Sequence, residues 1–89
     1  MKSTEGNREK FVWLKKAHEH YKLEQYRDVI LACNQALQID SAFDRAHLGR
    51  GLAFYKLNNI NMALLALNQT IRCNPKKYKG LSRQRRYLL

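Results

Sequence analysis

The stretch YKLEQYRDVILACNQALQID, residues 21–40, returns 34 positions later as YKLNNINMALLALNQTIRCN, residues 55–74. The same offset places the small residue Ala17 on the small residue Gly51, so the match extends upstream of the quoted stretch. Self-similarity at a fixed period of roughly 20 to 50 residues is the sequence signature of a repeat architecture. The sequence therefore predicts one structural unit that occurs twice in tandem between residues 10 and 75.

Helical periodicity indicates what kind of unit this is. Trp13, Ala17 and Tyr21 recur every four residues. Apolar side chains then recur at intervals of three and four, at Tyr26, Val29, Ile30, Cys33, Ala36 and Leu37. Each copy is therefore predicted to be two amphipathic helices of an all-α protein, with Asn58 and Asn59 as turn or capping residues in the second copy. The predicted helices span residues 8–23, 26–39, 43–57 and 60–73, and residues 1–7 are expected to be a polar lead-in outside them.

The alternation of large and small residues along both copies resembles that of the tetratricopeptide repeat family. The second copy supplies Gly51, Phe54, Ala63, Leu67, Thr70 and Pro75 at the family's positions, and the first supplies Trp13, Ala17, Val29, Cys33 and Ala36. The chain departs from the family pattern with His20 and His47 at two aromatic positions, and with Ser41 in the place of the proline. The resemblance implies a single domain over residues 1–89, built of tandem helix-turn-helix repeats at 9–41 and 43–75 that form a short right-handed superhelix.

The terminal segment, residues 76–89, does not continue the repeat, because Arg85 occupies the position of the small residue. Tyr78, Leu81 and Leu88 share one helical face, which predicts a basic terminal helix that caps the exposed face of the second helix pair. Two alternatives stay open. The segment could order only on a partner, or it could begin a third repeat that another copy of the chain completes.

Charge is distributed unevenly along the chain. Residues 1–44 carry seven basic and seven acidic side chains, whereas residues 45–89 carry ten basic side chains and no acidic one, which accounts for the whole net charge of +10. A basic patch is formed by Arg72, Lys76, Lys77, Lys79, Arg83, Arg85 and Arg86, with Tyr78 and Tyr87 between them. Such a patch can bind nucleic-acid phosphates or anionic lipid, direct the protein to the nucleus, or increase solubility.

The family resemblance also implies a concave groove lined by the first helix of each pair. The corresponding positions are Phe11, Leu14, Lys15, His18, Tyr21, Lys22, Arg45, Leu48, Gly49, Leu52, Tyr55 and Lys56. These residue types predict an apolar floor with a cationic rim, which suits a peptide that carries hydrophobic anchors and acidic groups. The alternative is that Tyr21, Leu48 and Leu52 belong to the core and that the lysines are only solvated. Some family members hold a C-terminal carboxylate through Lys, Asn and Arg, but Leu14, His18 and Gly49 stand at those places, so recognition of that type is not expected.

Catalysis has little support in the sequence. His18 and His20 are two residues apart and point to different faces of a helix, and no cluster has the spacing of metal ligands. No cofactor or metal is therefore expected, and the chain is predicted not to be an enzyme. Cys33 lies at a packing position, and both it and Cys73 are expected to be reduced.

The sequence contains no apolar run of the roughly 20 residues that a membrane span needs, and residues 1–10 show no apolar signal segment. We therefore expect an intracellular protein, in the cytoplasm or alternatively in the nucleus. The expected function is non-catalytic binding of another protein, as an adaptor, scaffold or co-chaperone-like module, with self-association left open. The alternatives are a nucleic-acid-binding accessory protein that uses the second half, and a fragment of a larger repeat scaffold.

Overall fold

The computed structural model describes the backbone of residues 2–78 and the side chains of residues 8–78. Within them the chain forms α1 (Lys2–Lys22), α2 (Tyr26–Ile39), α3 (Asp44–Lys56) and α4 (Ile60–Cys73), with no strand in the described range. The all-α class is confirmed. The capping helix predicted over residues 76–89 lies outside the described residues from position 79 onward, and residues 75–78 form a turn.

The predicted bounds of α2 and α4 are correct, whereas those of α1 and α3 need correction. Helix α1 begins at Lys2 rather than near residue 8, so the expected lead-in is helical. No proline interrupts residues 2–7, and extending an existing helix costs far less than nucleating one. Helix α3 is one residue shorter at each end, because Phe43 takes an extended cap conformation and Leu57 becomes the C-cap.

The repeat is visible in the backbone of the two turns. Glu24 and Asn58, 34 residues apart, both adopt the left-handed conformation, with φ of 60° and 65°. In each turn the next amide donates to a carbonyl five residues back, from Gln25 to His20 and from Asn59 to Phe54, at 2.9 Å in both cases. Asparagine tolerates this conformation well and glutamate less so, which makes the first turn the more strained copy of the same design.

The helices pack as two hairpins that stack on one another. Helix α1 packs on α2, α3 packs on α4, and α2 packs on α3, which is the packing of a helical repeat arrangement. The main core lies within the first hairpin and at its junction with α3, and it consists of Leu14, Ala17, Val29, Ala32, Cys33, Ala36, Phe43, Ala46 and Ala53.

Two glycines in α3 allow the close approaches within this stack. A Cβ atom at Gly51 would lie 3.1 Å from Leu67 Cδ2, so Gly51 brings α3 and α4 together inside the second hairpin. A Cβ atom at Gly49 would lie 3.0 Å from Cys33 Sγ, so Gly49 brings α3 onto α2 between the hairpins. Each glycine costs up to about 1 kcal/mol of helix propensity relative to alanine, and the close packing offsets that cost.

A polar clamp fixes the first half of α1 to the connection between the hairpins. Lys10 Nζ donates a 2.6 Å hydrogen bond to Asp40 Oδ2 and lies 4.7 Å from the centroid of the Phe43 ring. Phe11 packs edge-on against Phe43, with ring centroids 5.3 Å apart. The hydrogen bond from Lys10 is the main reason why the pKa of the Asp40 carboxyl is lowered. The clamp brings two charged groups and two aromatic rings together at the junction, although Lys10 and Asp40 are 30 residues apart in sequence.

Candidate functional site

A cavity of about 410 Å³ lies between α1, α2, α3 and the turn that follows α4. Its walls are mostly apolar, and it opens to solvent beside the exposed side chains of His18, Arg45 and Leu52. The lining residues are Leu14, Ala17, His18, Tyr21, Val29, Cys33, Arg45, Leu48, Gly49, Leu52, Lys77 and Tyr78.

The floor of the cavity is the packed interface of the first hairpin. Leu14, Ala17 and Val29 are buried there. Ala17 and Val29 stand at predicted helix-packing positions, whereas Leu14 was predicted only as a groove residue. Cys33 completes the floor, and burial raises the pKa of its thiol to about 11, against a smaller opposing effect of Arg50. The thiol therefore stays neutral at physiological pH and acts as an apolar surface.

The structure brings together part of the predicted groove set. The residues of that set that line the cavity are Leu14, His18, Tyr21, Arg45, Leu48, Gly49 and Leu52. The residues that do not line it are Phe11, Lys15, Lys22, Tyr55 and Lys56. Phe11 packs on Phe43 at the clamp, and the other four side chains are exposed. Leu14 is part of the core as well as of the cavity floor.

Five lining residues were not among the predicted groove residues. Ala17, Val29 and Cys33 were predicted as helix-packing positions, and the two that remain are Lys77 and Tyr78. They belong to the turn after α4, and they close the cavity on the side of the second hairpin. Tyr78 is only 9% exposed. No local pattern marks Tyr78 as a lining residue, because Asp44, its equivalent 34 positions earlier, does not line the cavity.

Asp44 anchors this turn to the start of α3. Its Oδ2 atom lies 3.6 Å from Lys77 Nζ, as an ion pair longer than a hydrogen bond. Burial alone would raise the pKa of Asp44, but the Tyr78 hydroxyl, the Lys77 charge and the α3 backbone amides outweigh it, so the pKa is lowered. Burial and the Asp44 carboxylate raise the pKa of Tyr78. The phenol therefore stays protonated beside an ionised carboxylate, which holds the cavity wall in place.

The charged side chains at the opening of the cavity are basic. The cavity lining contains Arg45, Lys77 and His18, and no carboxylate. Lys77 is partly neutralised by Asp44, whereas Arg45 is exposed and forms no ion pair with any described residue. The opening therefore combines apolar walls with at least one free positive charge.

The predicted basic patch is only partly within the described chain. Arg72 is exposed near the end of α4, and Lys76 and Lys77 follow in the turn. The remaining cations of the patch, Lys79, Arg83, Arg85 and Arg86, lie outside the described residues. Of the described part, only Lys77 lines the cavity.

The histidines are dispersed. His20 shares a 2.7 Å hydrogen bond with Gln25 Oε1, and His47 Nε2 lies 3.0 Å from the carbonyl oxygen of Ser41. Only His18 reaches the cavity. Across the part of the chain that the structure describes, no group of three or more histidine, cysteine or acidic residues could hold a metal ion. None of the described helices is both long enough and apolar enough to cross a membrane.

No protein-family model, no curated protein and no solved structure matches this chain.

Proposed function

We propose that the chain is a tetratricopeptide-like, non-catalytic protein-interaction module, an adaptor or scaffold that holds a peptide segment of a partner protein in the cavity between α1 and α3. The observation that carries this proposal is the convergence of predicted groove positions from both helices on one apolar cavity. That cavity has cationic side chains at its opening.

The volume of the cavity suits apolar side chains of a peptide. About 410 Å³ falls within the range of roughly 300 to 1,000 Å³ that is usual for ligand pockets. Buried aromatic and aliphatic anchors contribute most of the binding energy at such sites. The walls formed by Tyr21, Leu48 and Leu52 can receive one or two of these anchors, and Arg45 favours an acidic residue beside them.

The residues at three positions favour an internal peptide segment over a free C-terminal carboxylate. Leu14 is buried in the floor, and Gly49 has no side chain. His18 alone among the three can carry a charge. A carboxylate clamp needs several fixed cations or amides, so the proposed ligand is held mainly by its apolar side chains.

The proposal places the module in a reducing compartment inside the cell, with the cytoplasm favoured over the nucleus. Cys33 and Cys73 are both free thiols. Free cysteines are typical of proteins that work in reducing compartments.

Binding of fluorescent peptides to the full chain tests this function. We expect peptides with a bulky apolar residue next to acidic residues to bind, and Leu52→Glu to weaken binding at least tenfold. Leu52 is 41% exposed, so the substitution leaves the fold intact. The matched control is Leu31→Glu on α2, at a leucine that is 61% exposed and outside the cavity, and it leaves binding unchanged.

Parallel titrations with single-stranded and duplex RNA and DNA at several salt concentrations test the rival function. Nucleic-acid binding that persists near physiological salt and is insensitive to Leu52→Glu would overturn the proposal if no peptide binds.

A further inference from the structure

The arginine and the lysine of the cavity lining lie at the same end of the cavity. Arg45 stands in the first turn of α3. Lys77 reaches this end because its ammonium lies 3.6 Å from Oδ2 of Asp44, the first residue of α3. Leu48 and Leu52 follow Arg45 along the helix and line the cavity further on. The lining therefore changes from cationic to apolar along α3.

Helix α1 runs alongside α3 in the same direction, so both walls of the cavity share this order. Phe11, in the first half of α1, packs on Phe43 just before α3 begins, with ring centroids 5.3 Å apart. At the other end, Leu57 after α3 shares a small surface pocket with Tyr26, which follows the turn at the end of α1. The α1 lining residue nearest that turn is Tyr21, so the apolar end of the cavity has an aromatic wall.

Arg45 is the surplus charge at the cationic end. Lys77 and Asp44 offset each other as an ion pair, and the Lys77 ammonium also lies 5.3 Å from the centroid of the Tyr78 ring. Arg45 is exposed and forms no ion pair with any residue that the structure describes. A guanidinium can hold a carboxylate through two parallel N–H donors, whereas an ammonium acts as a point charge. A ligand carboxylate is therefore expected to bind Arg45 rather than Lys77.

The exposed charges beyond the apolar end do not compete for that carboxylate. Lys22 and Lys56 lie at the ends of α1 and α3, and Glu19 and Glu24 match them in number. All four side chains are exposed, and none of them lines the cavity. Exposed charges of both signs largely cancel, and salt screens them beyond about 8 to 10 Å. His18 also lines the cavity towards this end, but an imidazole carries no permanent charge.

The separation between the two ends sets a distance in the ligand. Arg45 and Leu52 are seven residues apart on one helix, which corresponds to about 10 Å along its axis. In an extended peptide of the polyproline II type, side chains three positions apart lie on the same side of the chain and about 9 Å from each other. The two distances agree, so one peptide side chain can occupy the apolar end while another, three positions away, reaches Arg45.

We propose that the cavity selects peptide segments in which a bulky apolar residue and an acidic residue stand three positions apart. The apolar side chain enters between Tyr21 and Leu52, and the acidic side chain binds Arg45. This inference rests on the proposed peptide-binding function, and it adds the order and the spacing of the recognised side chains. Arg45 is then the residue that determines specificity at the acidic position.

Two peptides of equal composition test the spacing on the full chain. The probe is a fluorescent nine-residue peptide with a central phenylalanine, a glutamate three positions away on each side, and serine elsewhere, so it can bind in either chain direction. The control peptide has the two glutamates directly beside the phenylalanine. We expect fluorescence anisotropy to show at least fivefold tighter binding of the probe, because only the probe brings a carboxylate to Arg45 while its ring occupies the apolar end.

Two charge reversals on α3 locate the acidic position. Arg45→Glu and Lys56→Glu change the net charge equally, and both side chains are exposed. We expect Arg45→Glu to weaken probe binding at least tenfold, and Lys56→Glu to change it less than threefold. A peptide with lysines in place of the two glutamates should bind Arg45→Glu at least fivefold more tightly than it binds the unmodified chain.

Circular dichroism checks that each variant keeps its helices. If Arg45→Glu does not fold, Arg45→Gln removes the charge without adding a carboxylate and should weaken probe binding at least threefold.

The outcomes separate this inference from the proposed function. Equal affinity for the probe and the control peptide, with both lost on Leu52→Glu, would overturn the spacing inference and not the peptide-binding function. Equal effects of Arg45→Glu and Lys56→Glu would also overturn it, because general attraction to this basic half of the chain would then explain binding. Absence of binding of either peptide would overturn the inference, and the proposed function as well if the peptides of its own test also fail to bind.

Discussion

Helices α2 and α4 have the same length and the same position in their hairpins, yet among the described helices they have different neighbours. Each spans 14 residues and ends in a cap residue whose amide donates to a carbonyl four positions back. Helix α2 lies between α1 and α3, while α4 packs on α3 alone among the described helices. The comparison teaches that the 34-residue pattern specifies a hairpin, and that the neighbours decide which faces of it are buried.

The connections that follow the two helices extend this contrast. After α2, Phe43 is buried and receives the Lys10 ammonium group over its ring. At the equivalent place after α4 stands Lys77, an exposed residue whose ammonium lies 3.6 Å from Asp44. The first connection is a hydrophobic junction between two hairpins, and the second is a polar edge of the cavity.

Substitution at this equivalent pair should give the largest difference between the two halves. Phe43→Ala removes a buried ring from the junction and the closer of the two aromatic rings beside the Lys10 ammonium. We therefore expect a loss of about 3 to 5 kcal/mol in the free energy of unfolding. Lys77→Ala removes a partly exposed ion pair with Asp44 and a contact of the ammonium with the Tyr78 ring, so we expect a change within about 1 kcal/mol. Urea denaturation followed by circular dichroism measures both.

If Phe43→Ala leaves too little folded protein to measure, Phe43→Leu keeps the site apolar and should cost about 1 kcal/mol. Equal losses for the Phe43 and Lys77 variants would contradict the distinction between a packed junction and a polar edge.

Alanine substitution of the two glycines of α3 should give a smaller difference in stability. Gly49→Ala places a Cβ 3.0 Å from Sγ of Cys33, a fully buried side chain that must shift to admit it, so we expect a destabilisation of about 1 to 3 kcal/mol. Gly51→Ala meets the terminal carbon atoms of Leu67, a half-buried side chain that can shift. We expect Gly51→Ala to be neutral or to stabilise the fold by up to about 1 kcal/mol through helix propensity.

A double substitution checks the cause of the Gly49 effect. In the Cys33→Ala background the obstructing sulfur is absent, so Gly49→Ala should no longer destabilise the protein. Thermal unfolding of the single and double variants gives the coupling between the two sites. A Gly49→Ala variant that is as stable as Gly51→Ala in the unmodified background would show that α3 and α2 do not approach closely at this point.

The sequence was sufficient to predict the helices that local, repeated patterns specify. It located α2 and α4 correctly, because a turn with equivalent residues precedes each and a polar residue ends each. Seven of the positions that the family resemblance assigned to a groove line the cavity, among them Leu14, Leu48 and Leu52.

Contacts between distant parts of the chain could not be predicted from the sequence. The clamp between Lys10 and Asp40 joins residues 30 positions apart, and no local pattern marks it. The role of Gly49 depends on its distance to Cys33 on the neighbouring hairpin, which only coordinates provide. Tyr78 was assigned to the face of a terminal helix, whereas it lines the cavity, because its place follows from how the second hairpin stacks on the first.

Amide hydrogen exchange of the full chain tests most directly whether α2 is packed on two sides and α4 on one. The comparison is between residues 29–37 of α2 and residues 63–71 of α4, pairing each amide with the one 34 positions later. Amides of a helix that is packed on two sides open at a higher free energy than those of a helix packed on one side. We expect slower exchange throughout the α2 segment. Exchange in α4 that is equally slow or slower would contradict the difference in packing between the two helices.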